Sequence, residues 1–116
     1  MGIFDSFTDR FKGGEFSCHP KMLVKNFRAA IKEELGIDVS VYIKNSNSKA
    51  KDDVTLASTK PDDFKGMGED VKMKLSEKVG DVEKKFKEKM GVKIQILDKD
   101  GKLADNDLTL GELRRS

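Results

Sequence analysis

The sequence predicts an α+β protein made of two tandem strand–helix–strand units that share one sheet, with both helices on one face. Three observations lead there. Apolar residues alternate with period two in four short segments, and they recur with helical spacing in two longer ones. The whole order then repeats about 55 residues later, which marks a duplication of residues 15–59 as residues 70–113.

The first fourteen residues stand apart from the repeat. Ile3, Phe4, Phe7 and Phe11 share one face of a short amphipathic helix that ends at Gly13-Gly14. Its polar face carries Asp5, Ser6, Asp9, Arg10 and Lys12.

The first strand of the repeat is Glu15-Phe16-Ser17-Cys18-His19, matched by Asp70-Val71-Lys72-Met73-Lys74-Leu75. Phe16 and Cys18 align with Val71 and Met73, the alternating apolar set of a half-buried strand. In the helices, Val24, Phe27, Ile31 and Leu35 align with Val79, Val82, Phe86 and Met90, so each set falls on one side. Asn26 and Asp81 sit near the helix starts, where a short polar side chain can cap free backbone donors. Gly36 and Gly91 follow the last apolar residues, the place of a left-handed C-terminal cap.

The second strand is Ile37–Ile43 in one copy and Val92–Asp98 in the other. Both copies close on similar tails, Ala50–Leu56 and Ala104–Leu110. Residues 60–69, with Pro61, Gly66 and Gly68, read as the connecting loop. Residues 15–116 therefore form a single domain.

Short helix-to-strand turns favour right-handed crossovers between parallel strands. Two such units can share a four-stranded sheet, as in the ferredoxin-like arrangement. Its core is then Phe16, Cys18, Val39, Val41, Val71, Met73, Ile94 and Ile96 under the two helix stripes.

The stretch Gly101–Leu113, after an amphipathic helix, resembles the part of ubiquitin-like proteins where a short strand leads into a small turn. That resemblance implies an alternative arrangement of two β-grasp-like half-modules. The repeat with its Thr55-Leu56 and Thr109-Leu110 tails also resembles small uncharacterised bacterial proteins that carry such a duplication, a likeness that implies no activity.

Composition narrows the function classes. Twenty-three Lys and Arg against 21 Asp and Glu leave a net charge of +2. Proteins that hold a nucleic-acid backbone or an anionic membrane are usually more lopsided. A single cysteine, Cys18, excludes an internal disulfide and fits a reducing, cytoplasmic setting. No apolar run approaches the ~18 residues of a membrane span.

Chemistry-bearing motifs are scarce. Cys18 and His19 are neighbours on a strand and point to opposite faces, so they do not form a nucleophile–base pair. One Cys and one His cannot supply a four-ligand zinc site. Asp98, Asp100, Asp105 and Asp107 outline a calcium-loop alternative over residues 98–107. The glycine comes too early for an EF-hand, however, and a turn through Asp100-Gly101 explains the same residues. The opening Met1-Gly2-Ile3-Phe4-Asp5-Ser6 fits the loose myristoylation pattern. No phosphate loop or nucleophile elbow is present, and no cofactor is expected.

Two binding surfaces follow from the pattern. On the sheet face turned away from the helices stand Ser17, His19, Ser40, Tyr42, Lys72, Lys74, Lys93, Gln95 and Leu97. Of these Tyr42, Lys72, Lys74, Lys93, Gln95 and Leu97 are the candidate contacts. Ferredoxin-like modules stack single-stranded nucleic acid on that face, but here Tyr42 is its one aromatic residue. The second surface is the Ile3, Phe4, Phe7 and Phe11 stripe, which can meet a partner, a membrane or the protein's own core. The expectation is a non-enzymatic protein–protein interaction module. Self-association through a sheet edge or the N-terminal helix is one form of it, and weak single-stranded nucleic-acid binding the alternative.

Overall fold

The computed structural model describes residues 15–44, 46–64 and 68–115. The predicted N-terminal helix with Ile3, Phe4, Phe7 and Phe11 lies outside the described residues. In chain order the elements are β1 (Glu15–Cys18), α1 (Val24–Leu35), β2 (Asp38–Tyr42), β3 (Val71–Lys74), α2 (Val79–Lys89), β4 (Lys93–Leu97) and α3 (Leu110–Arg115). A 3-10 turn covers Ala57–Thr59. The protein is α+β. Among the described residues no helix is long and apolar enough to cross a membrane.

The two longer helices and the four strands form where the apolar periods place them, while the pattern does not predict the short helix α3 at the end of the second tail. All eight predicted stripe residues and all eight predicted strand residues are at most 3% exposed and belong to one core. The rings of Phe27 and Phe86 bring the two helices together edge to face, 5.6 Å between centroids. Gly36 (φ 72) closes α1 in the left-handed region, its N–H donating to the Lys32 carbonyl at 3.0 Å. Gly91 (φ 73) follows α2, and its N–H donates to the Lys87 carbonyl at 3.2 Å.

The single four-stranded sheet does not form. β1 pairs antiparallel with β3, and β2 pairs antiparallel with β4, in two separate ribbons. The physical reason lies at the edges of β2 and β4. Ala50 N–H donates to the Val41 carbonyl at 2.8 Å, and Ala104 N–H donates to the Ile96 carbonyl at 2.9 Å. Each tail therefore takes the outer edge of its own second strand, and the partner strand takes the inner one. No edge is left for a parallel neighbour. Alternation shows which face a strand buries, not which strand lies beside it.

Both ribbons are centred alike. Ser17 stands opposite Lys72 and Ser40 opposite Gln95, so in each ribbon corresponding positions of the two halves face one another across a local two-fold axis. Loop hydrogen bonds recur on the same plan. Leu56 N–H donates to Met22 C=O as Leu110 N–H does to Glu77 C=O, and Ala57 to Pro20 as Gly111 does to Leu75.

The helix starts correct a second expectation. Asn26 and Asp81 lie inside the first turns and cap nothing, since neither helix has a side-chain cap. The tails supply the acceptors instead. Val24 and Lys25 donate to the Val54 and Asp52 carbonyls at 2.8 and 3.0 Å, and Val79 and Gly80 donate to Leu108 and Asn106 at 2.8 and 3.1 Å. Thus the tails tie strand edge and helix start together within each half.

Each helix also guards a strand edge. From α1, Arg28 Nε donates to the Val39 carbonyl at 3.0 Å, and from α2, Glu83 Oε2 accepts the Ile96 N–H at 2.8 Å. These two residues hold the same position in their halves with opposite charge. No third strand pairs with β1 or β3 among the described residues.

Candidate functional site

A groove of about 750 Å³ lies between β1 and α1. Phe16, Met22, Leu23, Ala29 and Ala30 give it an apolar floor, and Ser17, His19, Lys21, Asn26 and Glu33 form its rim. Phe16 and Ser17 are successive strand residues on opposite faces, so a hollow lined by both runs along the edge of β1. The opposite wall is the α1 face that carries Asn26, Ala29, Ala30 and Glu33, spaced as one side of a helix.

Comparing the halves explains why the hollow is open. Met22 and Leu23 correspond to Glu77 and Lys78, and Ala29 and Ala30 correspond to Lys84 and Lys85. In the second half Lys85 Nζ lies 2.7 and 2.8 Å from the two carboxylate oxygens of Glu77, and Glu77 Oε1 also accepts the Lys74 N–H at 2.9 Å. Their side chains are only 22% and 24% exposed, so this pair fills the space between β3 and α2. In the first half alanine and methionine hold the corresponding positions, and among the described residues no ion pair stands between β1 and α1. The same fold thus presents one closed charged seam and one open groove of mixed apolar and polar lining.

The sheet-face site is divided. Lys72 and Lys74 are exposed on the β1–β3 ribbon, while Tyr42, Lys93, Gln95 and Leu97 are half-buried on the β2–β4 ribbon. Ser40, expected on the exposed face, is 4% exposed. The Lys93 ammonium sits 5.2 Å over the Tyr42 ring and donates to the Ser46 carbonyl at 3.0 Å and Asn47 Oδ1 at 3.2 Å. The predicted aromatic platform is therefore covered by its own cross-strand lysine. No continuous sheet face brings the six candidates together. The remaining candidates, Ile3, Phe4, Phe7 and Phe11, lie outside the described residues.

Cys18 is fully buried, with its Sγ 3.8 Å from Met73 Sδ. Burial pushes its thiol well above the ordinary cysteine range, and the Glu34 and Asp70 carboxylates push the same way against Lys85. Such a thiol is a packing group at neutral pH, not a nucleophile. His19 is exposed on the groove rim.

In the aspartate-rich turn, Asp98 Oδ1 accepts the Asp100 and Lys102 N–H groups at 2.9 and 3.0 Å, and Gly101 takes φ 79. Asp105 Oδ1 accepts the Asp107 N–H at 2.9 Å. Among the described residues no three His, Cys, Asp or Glu side chains are grouped to hold a metal ion. A smaller hollow of about 460 Å³ lies between the linker and α2, lined by Lys44, Pro61, Asp63, Phe64, Lys87 and Gly91.

Sequence reasoning passed over Met22, Leu23, Ala29 and Ala30. A signal for them existed. They are the positions beside the core stripe that are apolar in one copy and charged in the other, and aligning the copies for differences instead of likenesses exposes them. Comparison with protein-family models, curated proteins and solved structures finds no match.

Proposed function

We propose that this chain is a non-enzymatic protein-interaction module whose binding surface is the groove between β1 and α1. The partner element it suits is a short amphipathic helix carrying aromatic or aliphatic anchors at helical spacing. A small-residue floor at Ala29 and Ala30 lets a helix approach α1 closely, and the half-buried Met22 and Leu23 supply apolar contact. The rim adds orientation, with His19 and Lys21 toward one end and Glu33 toward the other. A cytoplasmic setting fits a chain whose one thiol is buried.

The observation that carries this reading is the contrast between the halves: the groove is open where its counterpart is filled by Glu77 and Lys85. The same contrast supplies the test. Met22→Glu together with Ala30→Lys installs the second half's ion pair in the first half. The probe is an alanine-based helical peptide of about sixteen residues, long enough to be helical alone, with phenylalanine at i, i+4 and i+8. Titrated into labelled protein, it is expected to shift the amides of Ser17, Met22, Ala29 and Ala30, and the double variant is expected to lose that response while keeping its circular dichroism. Binding that is equal in the double variant, or shifts centred elsewhere, would overturn the reading.

A further inference from the structure

Resting on that reading, we infer that the groove recognises a carboxylate on the partner helix, at the end where His19 and Lys21 stand. The partner is thus an acidic amphipathic helix, and its glutamate or aspartate takes the place that Glu77 holds in the second half.

In an antiparallel pair, residues that exchange hydrogen bonds alternate with residues whose N–H and C=O point outward. The Lys74 N–H donates to Glu77 Oε1 at 2.9 Å, so it points away from β1. Lys72, two residues earlier, points the same way, and Ser17 stands opposite Lys72. The N–H and C=O of Ser17 therefore face the outer edge of β1, along which the groove runs.

The turn after β1 carries this alternation to His19. Met22 N–H donates to the His19 carbonyl at 3.1 Å, as Glu77 N–H does to the Lys74 carbonyl at 3.1 Å. The two turns are alike, so His19 N–H stands as Lys74 N–H does. What differs is the acceptor. Glu77 reaches back to its own strand, whereas Met22 has no oxygen to offer. Among the described residues nothing accepts the His19 N–H. The strand edge thus brings to the groove a donor that its counterpart satisfies with a carboxylate.

Charge agrees with this occupant. The other groups at this end are the Lys21 ammonium, the Ser17 hydroxyl and the Asn26 amide, all able to donate to an anion. In the second half Asp81 holds the place of Asn26, and Lys85, which neutralises Glu77, holds the place of Ala30. The first half therefore offers donors where the second half seats a carboxylate. Glu33, on the rim, lies seven residues beyond Asn26 on α1, roughly 10 Å away. A partner helix with a basic residue about two turns from its acidic one suits both ends, and the reverse placement sets like charges together.

A carboxylate accepting a backbone N–H beside an exposed ammonium should raise affinity about tenfold at low ionic strength, and salt should weaken the part due to Lys21.

The test adds one residue to the phenylalanine-bearing probe peptide. One version has glutamate a turn before the first phenylalanine, another has it a turn after the last, and the control has glutamine at both places. The better glutamate peptide is expected to bind about tenfold more tightly than the control and to move the His19 amide proton downfield. Met22→Glu, which copies Glu77, is expected to move that amide in the free protein and to abolish the preference for glutamate. Lys21→Glu, an exposed change outside the core, is expected to cut the preference to about threefold or less. Equal affinity for all three peptides, with the His19 amide unmoved, would overturn carboxylate recognition while leaving the groove a partner site. A preference that persists in both variants would overturn its placement at the His19 end. If no peptide binds, the helical partner is overturned, and the Met22→Glu chain then decides the edge: a moved His19 amide supports the carboxylate site, and an unmoved one removes it.

Discussion

Alanine at Gly91 and alanine at Gly36 are the same substitution at corresponding helix ends, yet they should differ in cost. Both glycines hold nearly the same backbone, φ 73 and 72. Each substitution therefore pays the left-handed penalty of an L-residue, roughly 1–2 kcal/mol. What the added methyl meets is different. At Gly36 its nearest neighbour is the flexible Arg114 side chain, with Cγ at 3.4 Å, while at Gly91 it would lie 2.5 Å from Phe64 Cγ and 2.7 Å from Cδ1. The ring must move, and overpacking of that kind adds about 1–3 kcal/mol. Gly36→Ala is thus expected to cost about 1–2 kcal/mol and Gly91→Ala about 2–5 kcal/mol.

Urea unfolding followed by circular dichroism reads both values from the midpoint, provided the slope stays constant. The cause can be isolated with a cycle. In a Phe64→Ala background the cost of Gly91→Ala should fall to that of Gly36→Ala, because the clash has no partner. Equal costs for the two glycine variants, within about 0.5 kcal/mol, would refute the argument that Phe64 presses on Gly91. So would a Gly91→Ala penalty that persists in full without the ring.

Glu77→Ala removes the acceptor of both the Lys85 ammonium and the Lys74 N–H in a seam that is mostly shielded from water, and should cost about 1–3 kcal/mol by thermal or urea unfolding. Two carboxylates should give pH dependences of opposite sign. Burial holds the Glu83 carboxyl above its ordinary range against the Ile96 N–H, so the native state keeps that proton longer and stability falls as pH rises from the unfolded carboxyl range through the raised value. Hydrogen bonds from the Thr109 backbone and side chain hold Glu112 below its ordinary range, so its stabilisation is present above the unfolded value and disappears as pH falls through the lowered one. Urea midpoints across pH 3–7 should show each slope flattened by Glu83→Gln or Glu112→Gln respectively; unchanged profiles would contradict the assignment. Cys18 should resist a thiol reagent at neutral pH in native protein and react at the rate of unfolding, and prompt native labelling would contradict its burial.

Much of the fold was legible because its determinants are local. Spacing along the chain marks which side of Val24–Leu35 or Val79–Lys89 is buried whatever it packs on, and a glycine after the last apolar residue marks a left-handed cap. Strand pairing was not legible. Phe16 and Cys18 alternate identically whether their neighbour is β2 or β3, and the choice depends on the tails occupying the outer edges of β2 and β4. Helix capping was misplaced for a similar reason, since the acceptors at both starts are carbonyls of residues more than twenty positions away. The candidate residues do not share one face, because Lys93 folds over Tyr42 on the β2–β4 ribbon while Lys72 and Lys74 lie on the β1–β3 ribbon.

By itself, then, the sequence determined where the two longer helices and the four strands lie and which side chains enter the core. Those properties follow from periodicity and local backbone preference. Only the tertiary structure decided that corresponding strands face each other across a local axis, that Gly36 and Gly91 are unequal, and that the β1–α1 hollow is open while its counterpart is closed. These depend on distant atoms competing for the same space: Ala30 and Met22 leave room between a strand and a helix, and Lys85 and Glu77 take it up.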